Sequence, residues 1–279
     1  MSKSLVKTAL RAKDKVGFFK PAKALGDLFE QNGIGAWRGP QVRLREVDVR
    51  ALDTLLQVEF GVPPGTKPDA WDGLSRAEAS EIGTNEKLTS RSVRGSRVAI
   101  KAFGDNPLLY DGCKLPLPAG SSLDVDGECV SCLDAYSHVL LVENWEAFES
   151  IHRLSFDLTD TAQKALVVYR GDKGAYPISA AKKLLEDLEK PVIVFSDIDP
   201  SGLMIAASTP DFDSLAWPSL EHVEKMLASG RGDRDRFMLQ RPRVEAFLDS
   251  CQQPQITSFW NLLRKYGRAI PQEEFIRPV

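Results

Sequence analysis

Pro191-Val192-Ile193-Val194-Phe195-Ser196-Asp197-Ile198-Asp199-Pro200-Ser201-Gly202 is an apolar run of strand length that delivers two carboxylates and then stops. Pro200 breaks the strand, and Gly202 opens a helix over LMIAAS. Alternation along extended chain puts residues i and i+2 on one face, so Asp197 and Asp199 aim the same way. Two convergent carboxylates at the end of a buried strand repel each other unless a proton or a cation lies between them. Open α/β sheets bind their ligands at that strand end. The pair is therefore a candidate metal site, and oxygen-only ligands suit Mg²⁺ or Mn²⁺.

Working outward, the same rhythm repeats. HVLLVEN is a strand followed by the helix WEAFESIHRL, and KALVVYR is a strand followed by the helix ISAAKKLLEDL. Strands alternating with helices imply βαβ units and a parallel sheet. HVEKMLAS, RPRVEAFLDS and SFWNLLRKYG add helices behind it. In a parallel sheet the strand ends share one edge, which brings Glu143 at the end of the first strand toward Asp197 and Asp199. The second strand runs into Arg170-Gly171-Asp172-Lys173-Gly174-Ala175-Tyr176-Pro177, where the glycines permit a tight approach to phosphate. Lys173 is placed to neutralise a phosphate or a leaving oxygen. Glu146, one turn beyond Glu143, is a candidate for a second metal, or simply faces solvent. The plainer alternative for the acids is capping: Asp197 for the helix after it, and Glu143 for the helix near Trp145.

The front of the chain differs in charge. Residues 1–109 carry 18 Lys and Arg against 13 Asp and Glu, and the remainder carries 18 against 26. A basic front and an acidic back suit phosphate gripping by one part and cation binding by the other. Residues 3–15 have helical spacing, a second short helix follows Pro21, and a third runs from Val49 to Phe60. Between them Trp37 to Leu44 reads as a strand with Arg43 and Arg45 on a basic face. Helices plus a basic hairpin suggest a winged-helix-like DNA-binding module over 1–85, with a solvated helical cap as the alternative. Residues 61–75, GVPPGTKPDAWDGLS, read as a linker. Arg91, Arg94 and Arg97 lie in a Ser- and Gly-containing stretch fit to follow a phosphate backbone, or merely to be solvated. RVAIKAF and SSLDV suggest a small β subdomain within 86–134, ahead of the α/β domain at 135–279.

The four cysteines are read as reduced thiols in a cytoplasmic protein without a signal peptide or membrane span. Cys129-x-x-Cys132 is half of a zinc pattern, but no second Cys/His pair completes it.

Glu143, then the glycine–Lys173–Gly174 loop ending at Pro177, then Asp197-x-Asp199 followed by Pro200-x-Gly202, resembles the Toprim fold. Within it the pattern is most similar to the A subunit of topoisomerase VI and its relatives. The resemblance covers roughly residues 135–210. It implies a Rossmann-like parallel sheet in which Glu143, Asp197 and Asp199 bind Mg²⁺ or Mn²⁺ for phosphodiester chemistry. In topoisomerase VI relatives the cleaving tyrosine lies in a winged-helix domain ahead of the Toprim part. Here the tyrosines are Tyr110, Tyr136, Tyr169, Tyr176 and Tyr266, none within 1–109. That departure turns the expectation toward hydrolysis. Domain order and motifs together resemble the nuclease subunit of Wadjet/Mks plasmid-defence systems. That resemblance implies double-stranded plasmid DNA as substrate, and an SMC-like ATPase, a kleisin and accessory subunits as partners. Cutting both strands implies a homodimer. A topoisomerase-like subunit using Tyr110 or Tyr136, a non-catalytic DNA-binding or assembly module, and an unrelated α/β fold such as a phosphatase-like domain remain as alternatives.

Overall fold

A computed structural model describes residues 3–74, 78–79, 81, 95–172 and 174–278, and the chain divides into two compact units, Met1–Val93 and Arg94–Val279.

In the first unit, α1 (Lys3–Ala12), α2 (Lys23–Gln31) and α3 (Glu46–Phe60) surround a two-stranded antiparallel hairpin, β1 (Ala36–Arg38) and β2 (Gln41–Arg43). Leu10, Leu25, Phe29, Val42, Leu52 and Leu56 are buried together. Residues 61–74 are not a linker. Val62 and Trp71 are each only 1% exposed and join this core. The Pro and Gly content shaped turns, while the apolar residues between them were drawn inward.

The second unit is α/β. Its six-stranded mixed sheet has the order β10-β9-β7-β8-β3-β6. β7 (Val139–Val142), β8 (Leu166–Tyr169) and β9 (Val192–Phe195) are buried at every position, as strands covered on both faces must be. β7 is parallel to β8 on one side and to β9 on the other, and β10 (Phe212–Leu215) continues parallel beyond β9. β3 (Arg97–Lys101) and β6 (Leu123–Asp126) do not form a separate subdomain. β3 pairs antiparallel with β8 and β6 with β3, so both complete the main sheet. Among the described residues of this unit, only the hairpin β4 (Leu108–Tyr110) and β5 (Cys113–Leu115) stands apart, turning on Asp111 and Gly112, both at positive φ.

Short helices α4 (Trp145–Glu149) and α5 (Asp160–Gln163) connect β7 to β8, α6 (Ile178–Leu188) connects β8 to β9, and α7 (Pro200–Ala207) connects β9 to β10. Then follow α8 (Leu220–Ala228), α9 (Arg234–Ser250) and α10 (Pro254–Tyr266), with α9 and α10 packed on α7. α9 begins seven residues before its expected start at Arg241. Pro242 reads as a first-turn residue in sequence but lies inside the helix. The true start is Asp233, whose carboxylate accepts the Arg236 N–H at 3.0 Å.

Cys129 and Cys132 are joined as a disulfide, not held as reduced thiols. A 3₁₀ turn over Val130–Leu133 brings their Cα atoms to 5.8 Å, within bridging range. Among the described residues no helix is long and apolar enough to cross a membrane.

Candidate metal centre

The strand order reverses between β7 and β9: β7 leads outward to β8, and β9 leads outward to β10. Such a switch point opens a crevice at the carboxyl ends of its two strands. Glu143 follows β7 and Asp197 follows β9. The Glu143 N–H donates to the Phe195 carbonyl at 3.0 Å. In return the Asp197 N–H donates to Glu143 Oε2 at 3.3 Å. The glutamate therefore faces the aspartate pair.

Backbone pairing sets the direction of the two aspartates. Ile198 is buried and its N–H and C=O pair with Ile270 at 2.8 and 2.9 Å. With Ile198 turned into the core, Asp197 and Asp199 point to the opposite side, as alternation requires. Asp199 caps α7, accepting the Gly202 N–H on Oδ1 at 2.6 Å. Asn144 caps α4, accepting from Glu146 and Ala147. Both capping alternatives thus fall to a neighbouring residue, leaving Asp197 and Glu143 without that role.

Every oxygen of the aspartate pair has a donor. Asp197 Oδ1 accepts the Gln272 N–H at 2.8 Å, and its Oδ2 pairs with Arg236. Asp199 Oδ2 accepts from Arg236 Nε at 2.8 Å and from Gln240 Nε2 at 2.9 Å. Arg236 and Gln240 are one turn apart on α9, so they meet the pair from a single helix face. Gln272, fully buried, ties the two strand ends together. Its Nε2 donates to the Phe195 carbonyl at 2.9 Å and its Oε1 accepts the Asn144 N–H at 3.0 Å.

Burial, followed by the Asp197 charge, pushes the Glu143 carboxyl up to about 7, with Arg170 pulling the other way. Burial also raises Asp197, against the opposing Gln272 N–H and Arg236. Burial works against the Arg236 charge, but Asp199 and Asp197 together outweigh it and hold its pKa above the ordinary value.

Among the described residues no group of three or more His, Cys, Asp or Glu side chains is arranged to hold a metal ion. Among the described residues the three acids expected to form a cradle, Glu143, Asp197 and Asp199, are not such a group. Arg236 lies between the aspartates, and Asp199, 1% exposed, is turned into the α7 N-terminus. A smaller site does fit. Glu143 has no ion pair among the described residues and Asp197 presents a hard oxygen beside it, and Mg²⁺ commonly takes one or two carboxylates with its other positions left to water or substrate. Glu143 and Asp197 would hold such an ion once Arg236 leaves Asp197.

The other sequence assignments scatter. Glu146 is exposed on the first turn of α4. Arg43 is exposed on β2. Arg45 instead occupies the N-cap position of α3, where its backbone N–H donates to Asp48 Oδ2 at 2.9 Å and its Nε pairs with the same oxygen at 2.8 Å, holding that carboxyl at about 2. Arg97 is bound across the sheet to Asp124 at 2.7 Å. Lys173, Arg91 and Arg94 lie outside the described residues. Tyr136 is buried, its hydroxyl accepting the Leu109 N–H at 2.8 Å, as a packing residue would. Sequence reasoning missed Arg236, Gln240 and Gln272. Asp233 as a helix N-cap was the available signal for the first two, while Gln272 had none.

Residues 95–278, nearly all of the second unit, match the family described as Domain of unknown function (DUF7281). No curated protein matches the chain.

Proposed function

We propose that this chain, which belongs to that family, is a metal-dependent phosphodiesterase acting as a DNA endonuclease. The observation that carries this reading is the 3.3 Å contact between the Asp197 N–H and the Glu143 carboxylate at the switch point of the sheet. It joins two acids from two strands at the edge where α/β sheets place ligands. The motif order around them resembles that of a Toprim domain of the topoisomerase VI type, and the domain order resembles that of the nuclease subunit of an SMC-like plasmid-defence complex. On this reading the first unit, with its basic hairpin, is a winged-helix-like module holding duplex DNA by its backbone. A homodimer cuts both strands, and an SMC-like ATPase, kleisin and accessory subunits are the partners.

A bound Mg²⁺ or Mn²⁺ supplies Lewis acidity toward the scissile phosphate and toward water. The protein's part is to hold Glu143 and Asp197 at neighbouring strand ends, with Gln272 fixing both of those ends. Arg236 and Arg170 offset negative charge at the same edge. Incubation of supercoiled plasmid with Mg²⁺, Mn²⁺ or EDTA tests the proposal, in the presence and absence of the partner complex. Metal-dependent nicking or linearisation is expected, abolished by Glu143→Gln and by Asp197→Asn. Cleavage at the normal rate by both variants sinks the assignment.

One observation favours a second reading, a non-catalytic DNA-binding or assembly module. Arg236 already neutralises both aspartates, as a structural ion pair would. DNA binding without cleavage under every metal and partner condition selects it.

A further inference from the structure

We propose that Arg236 is the phosphate-binding residue of this centre and that it blocks the metal position until DNA draws it away. This rests on the phosphodiesterase reading above and names how metal and substrate binding are linked in it.

The argument starts from which donors can leave. The two Oδ1 atoms are held by backbone N–H groups of Gln272 and Gly202, which cannot withdraw without unfolding. The two Oδ2 atoms are held by side chains of α9. When Arg236 leaves, Asp199 Oδ2 keeps Gln240 at 2.9 Å. Asp197 Oδ2 keeps no other partner among the described residues. The oxygen that departure exposes therefore belongs to Asp197, the residue whose N–H donates to Glu143 Oε2. Arg236 is free to move, being a long side chain 32% exposed at the crevice. Its planar fork matches two oxygens of a phosphodiester as well as it matches the two aspartates.

The exchange replaces one cation beside Asp197 with another. In the absence of ligand, one guanidinium serves two aspartates, while Glu143 has no ion pair among the described residues. With DNA present, Arg236 moves onto phosphate and a divalent ion binds the freed Asp197 Oδ2 together with Glu143. Each ligand thus removes an obstacle to the other, and the coupling is reciprocal.

Mn²⁺ binding to the full chain, followed by the paramagnetic resonance of the free ion, measures this without turnover. Short duplex DNA with non-hydrolysable phosphorothioate linkages is the second ligand. For the native protein, Mn²⁺ affinity rises about tenfold when DNA is added, a coupling of ordinary size. Arg236→Gln binds Mn²⁺ about tenfold more tightly than the native protein without DNA, and DNA no longer changes its affinity. Arg236→Lys, which keeps the charge but cannot span both aspartates, falls between them and stands in if the glutamine variant does not fold. Equal Mn²⁺ affinity of the native protein and the folded variants, with equal response to DNA, overturns the role of Arg236 and leaves the phosphodiesterase reading intact. Absence of Mn²⁺ binding in all of them, with and without DNA, overturns both.

Discussion

Glu143 accepts the backbone N–H of Asp197 at 3.3 Å, at the ends of two neighbouring parallel strands whose onward connections lead to opposite sides of the sheet. The contact does more than join two loops. It fixes a carboxylate next to a second carboxylate in a buried place, where each disfavours the other's charge. Arg236 is the cation that lies against Asp197 in this crevice.

Stability should depend on pH through Glu143. Its carboxyl titrates near 7 in the folded chain, above the ordinary range of the unfolded one. The folded state then holds more protons between those values, so stability falls as pH rises through that window. In EDTA, Glu143→Gln lacks this loss and gains on the native protein by about 2 kcal/mol between mildly acidic and mildly alkaline pH, allowing for partial solvent access. Urea midpoints across pH measure it; parallel curves for the two proteins would show the carboxylate to be unstrained.

Gly202 should not tolerate a side chain. A Cβ there would lie 2.0 Å from the Asp197 carbonyl and 2.9 Å from Ser196 Oγ. The first is backbone and cannot turn aside. Gly202→Ala therefore has to push α7 away from the Asp197 segment, at about 2 kcal/mol or more. Denaturant unfolding checks this, and an unchanged midpoint would mean that α7 slides freely.

Asp199 should prove first a structural residue. Asp199→Asn keeps an acceptor for the Gly202 N–H, whereas Asp199→Ala removes the cap, takes one of the two carboxylates from Arg236 and removes the acceptor of Gln240 Nε2. The alanine variant is expected to be less stable than the asparagine one by about 1–2 kcal/mol. Equal melting temperatures for the two would remove the cap from the account.

Trp71 tests the extent of the first unit. Trp71→Ala should destabilise that unit by about 3–5 kcal/mol, because the indole is 1% exposed in its core. Hydrogen exchange separates the units: amides of α1 to α3 lose protection while β7, β8 and β9 keep theirs. A true linker would leave both sets unchanged.

Much of the second unit was legible because its signals are local. PVIVF, HVLLV and ALVVY are short apolar runs bounded by polar residues, which is how fully covered parallel strands read. The i, i+2 spacing of Asp197 and Asp199 predicted their common direction, and Pro200 marked the helix start. The basic front was legible as charge, but not as available charge. Arg45 and Arg97 carry partners at Asp48 and Asp124, and those pairings follow from a cap and a strand register rather than from composition. RVAIKAF read as a strand, yet nothing within it specified that its partner would be β8.

The sequence by itself determined the βαβ rhythm, the acids at two strand ends and the excess of positive charge ahead of them, since these depend on periods of two and 3.6 residues and on residue type alone. Tertiary structure alone decided what neutralises those acids. Arg236 and Gln272 lie 39 and 75 residues beyond Asp197, and they reach it only because α9 packs on α7 and the Ile270 segment pairs with Ile198. No local period encodes a contact between distant segments; it arises from which apolar faces bury each other when the chain closes.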